Sequence, residues 1–298
     1  MRSGSKARIT PAGGTTVPAA APVTVLAAVL AAVAPPLLVM GCGGSDGWQP
    51  PSQSPVSEVR VFAASSLTEA MQDLAQAFEA RHPDTQVRLT FAGSQILRLQ
   101  LEQGAAADVF FSANAGHMDA LAGGGVIDGY EAFAENSLAL IVPAGSTGPV
   151  QRFADLPLAR RIVTGTPNVP VGAYTLALID RAGVRYGSGF ADAIRKHVVS
   201  QESNVRLVRA KVELGEADAA FVYATDALSS SRVRSIPIPP DVNVTVRYYL
   251  GAVEAAPNPT GRDSLIAWVR SEGPAILSRH GFTPPSTQVE DSQVEDPR

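Results

Sequence analysis

Four short runs place small or hydroxylated residues where a strand gives way to a helix: Ser65-Ser66, Gly93-Ser94, Val171-Gly172-Ala173 and Ser203-Asn204-Val205. The first turn of a helix carries N–H groups that the helix leaves unpaired, together with a partial positive charge, and the combination suits an anion. Ser66 and Glu69 also read as an S-x-x-E capping box for a helix starting at Leu67, which on its own would make Ser66 only a cap. One such turn says little. Two in the first half of the chain and two in the second point to an anion held in a cleft between lobes. Arg98 and Arg206 lie one turn inside two of these helices and are expected to run along the helix flanks without gripping the anion, leaving Arg206 only a long-range attraction that salt screens. Four N-termini at about half a charge each would together balance a dianion.

Signatures of turnover are scarce. There is no H-E-x-x-H, no C-x-x-C and no P-loop, and His82, His117, His197 and His280 are dispersed. Gly123, Gly124 and Gly125 follow a helix and read as a turn, because the spacing of a dinucleotide-binding loop is missing. The chain is therefore read as a binder and not as an enzyme. A hydrolase using Ser65 or Ser66 would need a positioned histidine nearby.

The elements that must position these turns have an α/β pattern. VRVFAA (59–64) reads as a strand, Leu67, Met71, Leu74 and Phe78 recur at helical spacing, and QVRLTFA (86–92) returns to strand. A helix over 95–103 stops at Gly104, and ADVFFSA (107–113) is apolar on both faces, as in a buried parallel strand. Further strands are predicted at 137–142, 161–165, 219–224 and 246–253. The helix opened by Val171, Gly172 and Ala173 is expected to carry Leu176 and Ile179 and to end near Gly183. The helix opened by Ser203, Asn204 and Val205 should carry Leu207, Val208 and Val212 on its apolar side and end at Gly215. A last amphipathic helix is predicted over 264–277. The tail over 283–298 is Pro-rich and acidic, repeats QVED, and is expected to be disordered.

The 298 residues carry 24 basic and 28 acidic side chains. Residues 1–42 hold Arg2, Lys6 and Arg8 and no acidic residue, so the body is more acidic than the whole and a nucleic-acid partner is not expected. Those three cations precede an apolar run from Val23 to Met40, broken by Pro35 and Pro36, which is the order of an export signal over 1–41. Cys42, the only cysteine, follows Gly41 where a bacterial lipobox has its lipidated residue, and residues 42–57 have the composition of a flexible tether. The reading is an exported, monomeric protein, lipid-anchored on the outer face of the cytoplasmic membrane.

Seven segments, in order, carry a family resemblance: VFAASSLTEAM, FAGSQ, GAAADVFFSAN, NSLALIV, VPVGAY, AAFVYATDA and RHGF. From Glu58 to Phe282 the chain resembles the periplasmic molybdate-binding proteins of ABC importers. The resemblance implies an α/β, two-lobed type II periplasmic binding protein fold with two hinge-crossing strands. Lobe I would comprise 58–142 and 245–282, and lobe II 143–244. It also implies molybdate or tungstate as ligand with no cofactor, an ABC permease as partner, and a ligand set of the Ser66 and Ser94 hydroxyls, the Val171 and Val205 main-chain N–H groups and the Tyr223 phenol. The loop GTPNVPVG (165–172) is one residue shorter than the family's usual form, and Gln95 stands where the family has a small residue. Alternatives in the same fold are a binder of another oxyanion such as sulfate, or of ferric iron through Tyr248 and Tyr249. Those two tyrosines are adjacent on a strand and should face opposite ways. A purely structural surface lipoprotein would bind no anion.

Overall fold

The computed structural model describes residues 57–286. The export signal over 1–41, Cys42, the tether up to residue 56 and the tail from 287 lie outside the described residues. In chain order the first elements are β1 (Ser57–Ala64), α1 (Thr68–Arg81), β2 (Thr85–Ala92), α2 (Ser94–Glu102), β3 (Val109–Ser112), α3 (Ala115–Gly123) and β4 (Ile127–Pro143). Then come β5 (Ile162–Gly165), α4 (Pro170–Tyr186), α5 (Ser188–Lys196), β6 (Val198–Glu202), α6 (Val205–Glu213), β7 (Ala219–Tyr223), α7 (Ala224–Leu228) and β8 (Val233–Ile236). The last are β9 (Thr245–Val253), α8 (Pro259–Ser271) and α9 (Gly273–Arg279).

The strands of the described residues form one sheet in the order β2-β1-β3-β9-β4-β7-β5-β6, with β8 also on β4. β1 runs parallel to both β2 and β3, and β5 runs parallel to both β6 and β7, so each half of the sheet sends its strand-to-helix turns to one edge. Alternation explains why β1 and β3 must be covered on both faces. Val59, Val61 and Ala63, with Val109 and Phe111, join the larger core under α1 and α8. Phe62 and Phe110 face the other way, into a smaller core with Leu97, Leu101, Met118 and Leu121.

β4 joins the two halves. Ile127 to Ser137 pair with β9, and Leu138 to Ile141 pair with β7. The partner change at Ser137 and Leu138 falls earlier than the lobe boundary read from sequence after residue 142. The return passage runs beside it, where the Asn243 carboxamide accepts from the Leu138 N–H at 3.2 Å and donates to the Leu138 carbonyl at 2.9 Å.

Several expectations are corrected. The strand predicted at 137–142 begins ten residues sooner, at Ile127. Glu135 within that stretch is buried but pairs with Arg247, 2.8 Å away on β9. α4 passes through Gly183 and ends at Tyr186 before Gly187, whose φ of 93° is open to glycine. Gly183 serves packing, since a Cβ there would sit 3.1 Å from the Ala191 Cβ of α5. On α6 Leu207, read on the apolar side, is exposed, while Val208 and Val212 are buried as read. The single helix predicted over 264–277 is two, broken before Pro274, whose ring is tolerated only in the first turn of α9. The chain from Thr283, read as disordered, is ordered through Ser286: Thr283 bridges Glu135, and the Ser286 N–H and hydroxyl donate to the Glu135 carboxylate at 3.0 and 2.9 Å.

Candidate functional site

All four turns singled out in the sequence line one small cavity. The first half of the sheet contributes Ser65 and Ser66 after β1, Gly93 and Ser94 after β2, and Ala113 after β3. From the second half come Val169 to Val171 at the start of α4, Asn204 and Val205 at the start of α6, and Tyr223 at the end of β7. Ser66, Ser94, Val171, Val205 and Tyr223 are thus brought together, although Tyr223 was read from resemblance alone. The lining carries no formally charged side chain.

Local sequence explains how each turn exposes its donors. Ser66 sits in a single 3-10 turn, Ser65–Leu67, that leads into α1. The expected capping box is absent: no side-chain cap bond is made at either helix start, and Glu69 pairs instead with Arg206. Ser66 Oγ accepts from the Tyr248 phenol at 3.0 Å. Ser94 Oγ likewise accepts the Ala113 N–H at 3.1 Å. A serine hydroxyl whose oxygen already accepts keeps its own proton as a donor, so the protein orients both hydroxyls to give. Burial pushes the Tyr223 and Tyr248 phenols well above their ordinary range, which keeps both protonated and able to donate.

In the second half the donors other than the Tyr223 phenol are main-chain. Pro170 fills the first position of α4, where a missing N–H costs nothing, and leaves the Val171 N–H as the next unpaired donor. This start is fixed by the close approach of Gly172 to the preceding loop: a Cβ on Gly172 would lie 2.0 Å from the Thr166 carbonyl oxygen and 2.7 Å from that of Gly165. At α6 the Asn204 side chain caps the Leu207 N–H at 3.1 Å, and Val205 occupies the first helical position with its side chain buried.

Neither Arg98 nor Arg206 lines the cavity. Arg98 pairs with Glu102 one turn along α2 at 2.6 Å. Arg206 donates its Nε to the Ser65 carbonyl at 2.9 Å and pairs with Glu69, so it does not merely run along its own helix flank. Behind Tyr223, Asp226 is buried with no hydrogen bond to either carboxyl oxygen. Desolvation raises its pKa to about 7, outweighing the lowering by Arg206 and Arg209. Tyr248 and Tyr249 pack in different cores on opposite faces of β9, as the strand period requires, so their phenols do not form a pair.

Sequence reasoning missed Ala113, whose N–H orients Ser94, and weighed Tyr248 for the site only as an iron ligand, whereas its phenol orients Ser66. Tyr248 lies within β9 and Ala113 directly follows β3, and nothing in the local pattern distinguishes either from core residues.

Comparison with known proteins agrees with this arrangement. The model of the bacterial extracellular solute-binding protein family matches residues 59–283. The molybdate-binding protein ModA of Mycobacterium tuberculosis is 33% identical over 257 residues, 83% of this chain and 93% of the relative. ModA of Escherichia coli is 31% identical over 236 residues, 76% of this chain and 89% of the relative. Among solved structures, the periplasmic molybdate-binding protein of Azotobacter vinelandii superposes with a TM-score of 0.66 at 18% identity, covering 76% of this chain and all of that one. At that identity the likeness establishes the fold, which is that of the periplasmic binding proteins.

Proposed function

The chain belongs to the bacterial extracellular solute-binding proteins, and from that membership and the cavity we propose that it captures molybdate or tungstate and delivers it to an ABC permease. The observation that carries the ligand is a cavity of donors without a formal charge. Hydroxyls of Ser66, Ser94 and Tyr223 and the N–H groups of Val171 and Val205 point to a small acceptor-rich guest, and four helix starts converge on it. At about half a charge each, they supply roughly +2 against a dianion. A tetrahedral oxyanion that carries no proton is matched by such a set. Phosphate keeps a proton near neutral pH that needs an acceptor, and no carboxylate lines the cavity to take it.

Capture involves no chemistry: two lobes close on the ion, hinged where β4 changes partners at Ser137 and where Asn243 returns beside Leu138. Lobe I is then 58–137 with 245–282, and lobe II lies between. The protein acts as a monomer, exported by its N-terminal segment and tethered through a lipidated Cys42. Replacing Cys42 with Ala releases it from the membrane or blocks its processing; unchanged membrane association and mobility would contradict the anchor.

Calorimetric titration with molybdate, tungstate, sulfate and phosphate in parallel tests the ligand. Molybdate and tungstate bind, and phosphate gives no saturable heat. Sulfate binding as tightly as molybdate would make this a general oxyanion carrier, and phosphate binding as tightly would refute the donor-only account.

A further inference from the structure

Two side chains cross between the halves of the sheet in opposite directions, each from a helix start that opens on the cavity. Gln95, second residue of α2, donates its Nε2 to the Ser203 carbonyl at 2.7 Å. Arg206, second residue of α6, donates its Nε to the Ser65 carbonyl at 2.9 Å. Each starts in the first turn of one cavity helix and ends on the turn that opens a cavity helix of the other half. The pattern is reciprocal, and neither residue lines the cavity.

The surroundings support a built contact. Gln95 is only 3% exposed, and its Oε1 is buried without a partner, so the Nε2 bond to Ser203 alone fixes the carboxamide. Leaving one end of a buried amide unpaired has a cost that a surface rotamer would avoid. Gly93 makes room for the crossing, since a Cβ there would come within 2.5 Å of both the Ser203 oxygen and Gln95 Oε1. On the other side Glu69 of α1 holds the Arg206 guanidinium, and Asp226 lies 4.0 Å from its Nε.

We propose that Gln95 and Arg206 are positioning residues forming a reciprocal latch, which holds the closed form and sets how long the captured ion stays. The proposal rests on the lobe-closing function above. Donor and acceptor of each bond belong to different halves, so the bonds form after closure. Their loss speeds opening and leaves capture of the ion unchanged. Arg206 therefore acts chiefly through short-range hydrogen bonds to the opposite turn, not through attraction at a distance.

The test uses the full chain loaded with radiolabelled molybdate and chased with unlabelled molybdate, in wild type, Gln95→Ala, Arg206→Met and Arg206→Lys. Dissociation is about three- to tenfold faster in Gln95→Ala and tenfold or more faster in Arg206→Met, the range for losing a neutral and a charged hydrogen bond, with the effect falling on the off-rate. Arg206→Lys keeps the charge and lacks the forked donor; it associates like wild type and still dissociates faster. Melting temperatures of the ligand-free variants stay close to wild type, separating a latch from a folding defect. A second readout needs no ligand: hydrogen exchange at the amides of residues 94–97 and 203–207 is faster in the free variants than in the free wild type. Unchanged dissociation and exchange would overturn the latch, as would a slowed association with dissociation unchanged. Failure of wild type to bind molybdate, with the exchange difference intact, would overturn the ligand assignment and leave the latch standing.

Discussion

The two halves of the cavity present donors in different ways. In the first half Ser66 and Ser94 give side-chain hydroxyls, each held by a bond that its oxygen accepts from Tyr248 or Ala113. In the second half Val171 and Val205 give main-chain N–H groups, and their side chains are buried in the core. Side-chain identity thus decides the chemistry on one side, whereas on the other it decides only packing, and the chemistry belongs to the backbone. Tyr223 is the exception, a side-chain donor in the second half.

Each half buries a carboxyl, but Asp108 in the first accepts the Arg60 and Asn258 N–H groups at 2.6 and 2.7 Å, whereas neither oxygen of Asp226 in the second accepts a hydrogen bond. Asp226 faces Arg206 and Arg209 from α6, Glu69 from α1, and the phenols of Tyr223 and Tyr248. Its pKa in the folded chain is raised, so folding favours the protonated form. The penalty is absent below about pH 4, grows as pH rises, and is complete above about 7. Asp226→Asn cannot ionise, so its stability relative to wild type should increase from pH 5 to pH 8, by on the order of a few kcal/mol. Urea unfolding at the two pH values measures this, and a constant difference would show that Asp226 is ionised throughout.

Next in size are the hydroxyls. Ser66→Ala or Ser94→Ala should each weaken molybdate binding by about 1.5–3 kcal/mol, the scale of a hydrogen bond to a charged group. Calorimetry reads this directly, and an effect below about 0.5 kcal/mol in both would move the burden to the second half. Smallest is Val171→Ala, which keeps the N–H. It should lower stability by about 1–2 kcal/mol through lost burial of two methyl groups, while affinity changes by less than about threefold. A large loss of affinity with intact folding would mean that the valine side chain shapes the cavity.

The same contrast separates what was legible in the sequence from what was not. Helix starts are local, so all four cavity turns could be read from small residues following strand patterns. Strands apolar on both faces, such as Val109 to Phe111, were equally plain. The stretch from Ile127 to Asn136 was not, because Asp128, Gly129, Glu131 and Glu135 read as loop; its strand state comes from pairing with β9, over a hundred residues away. The S-x-x-E of Ser66 and Glu69 was read as a capping box because it is a local pattern, yet both the Ser66 partner Tyr248 and the Glu69 partner Arg206 arrive from distant segments. Helical period likewise placed Leu207 on the apolar side, since it cannot say how wide a stripe the neighbouring elements cover. Gln95 and Arg206 were visible as residues, but their crossing depends on how closely the two halves approach at Gly93.

The central claim is that backbone donors in the second half share the dianion with hydroxyls in the first. Val205 allows a direct test because proline is tolerated at the first position of a helix, and Asn204 before it is already extended. Val205→Pro removes the N–H, and Val205→Ala trims the side chain and keeps it. Calorimetric titration of both variants with molybdate should give a loss of tenfold or more for Val205→Pro and less than about threefold for Val205→Ala. Equal affinities in two folded variants would contradict the account.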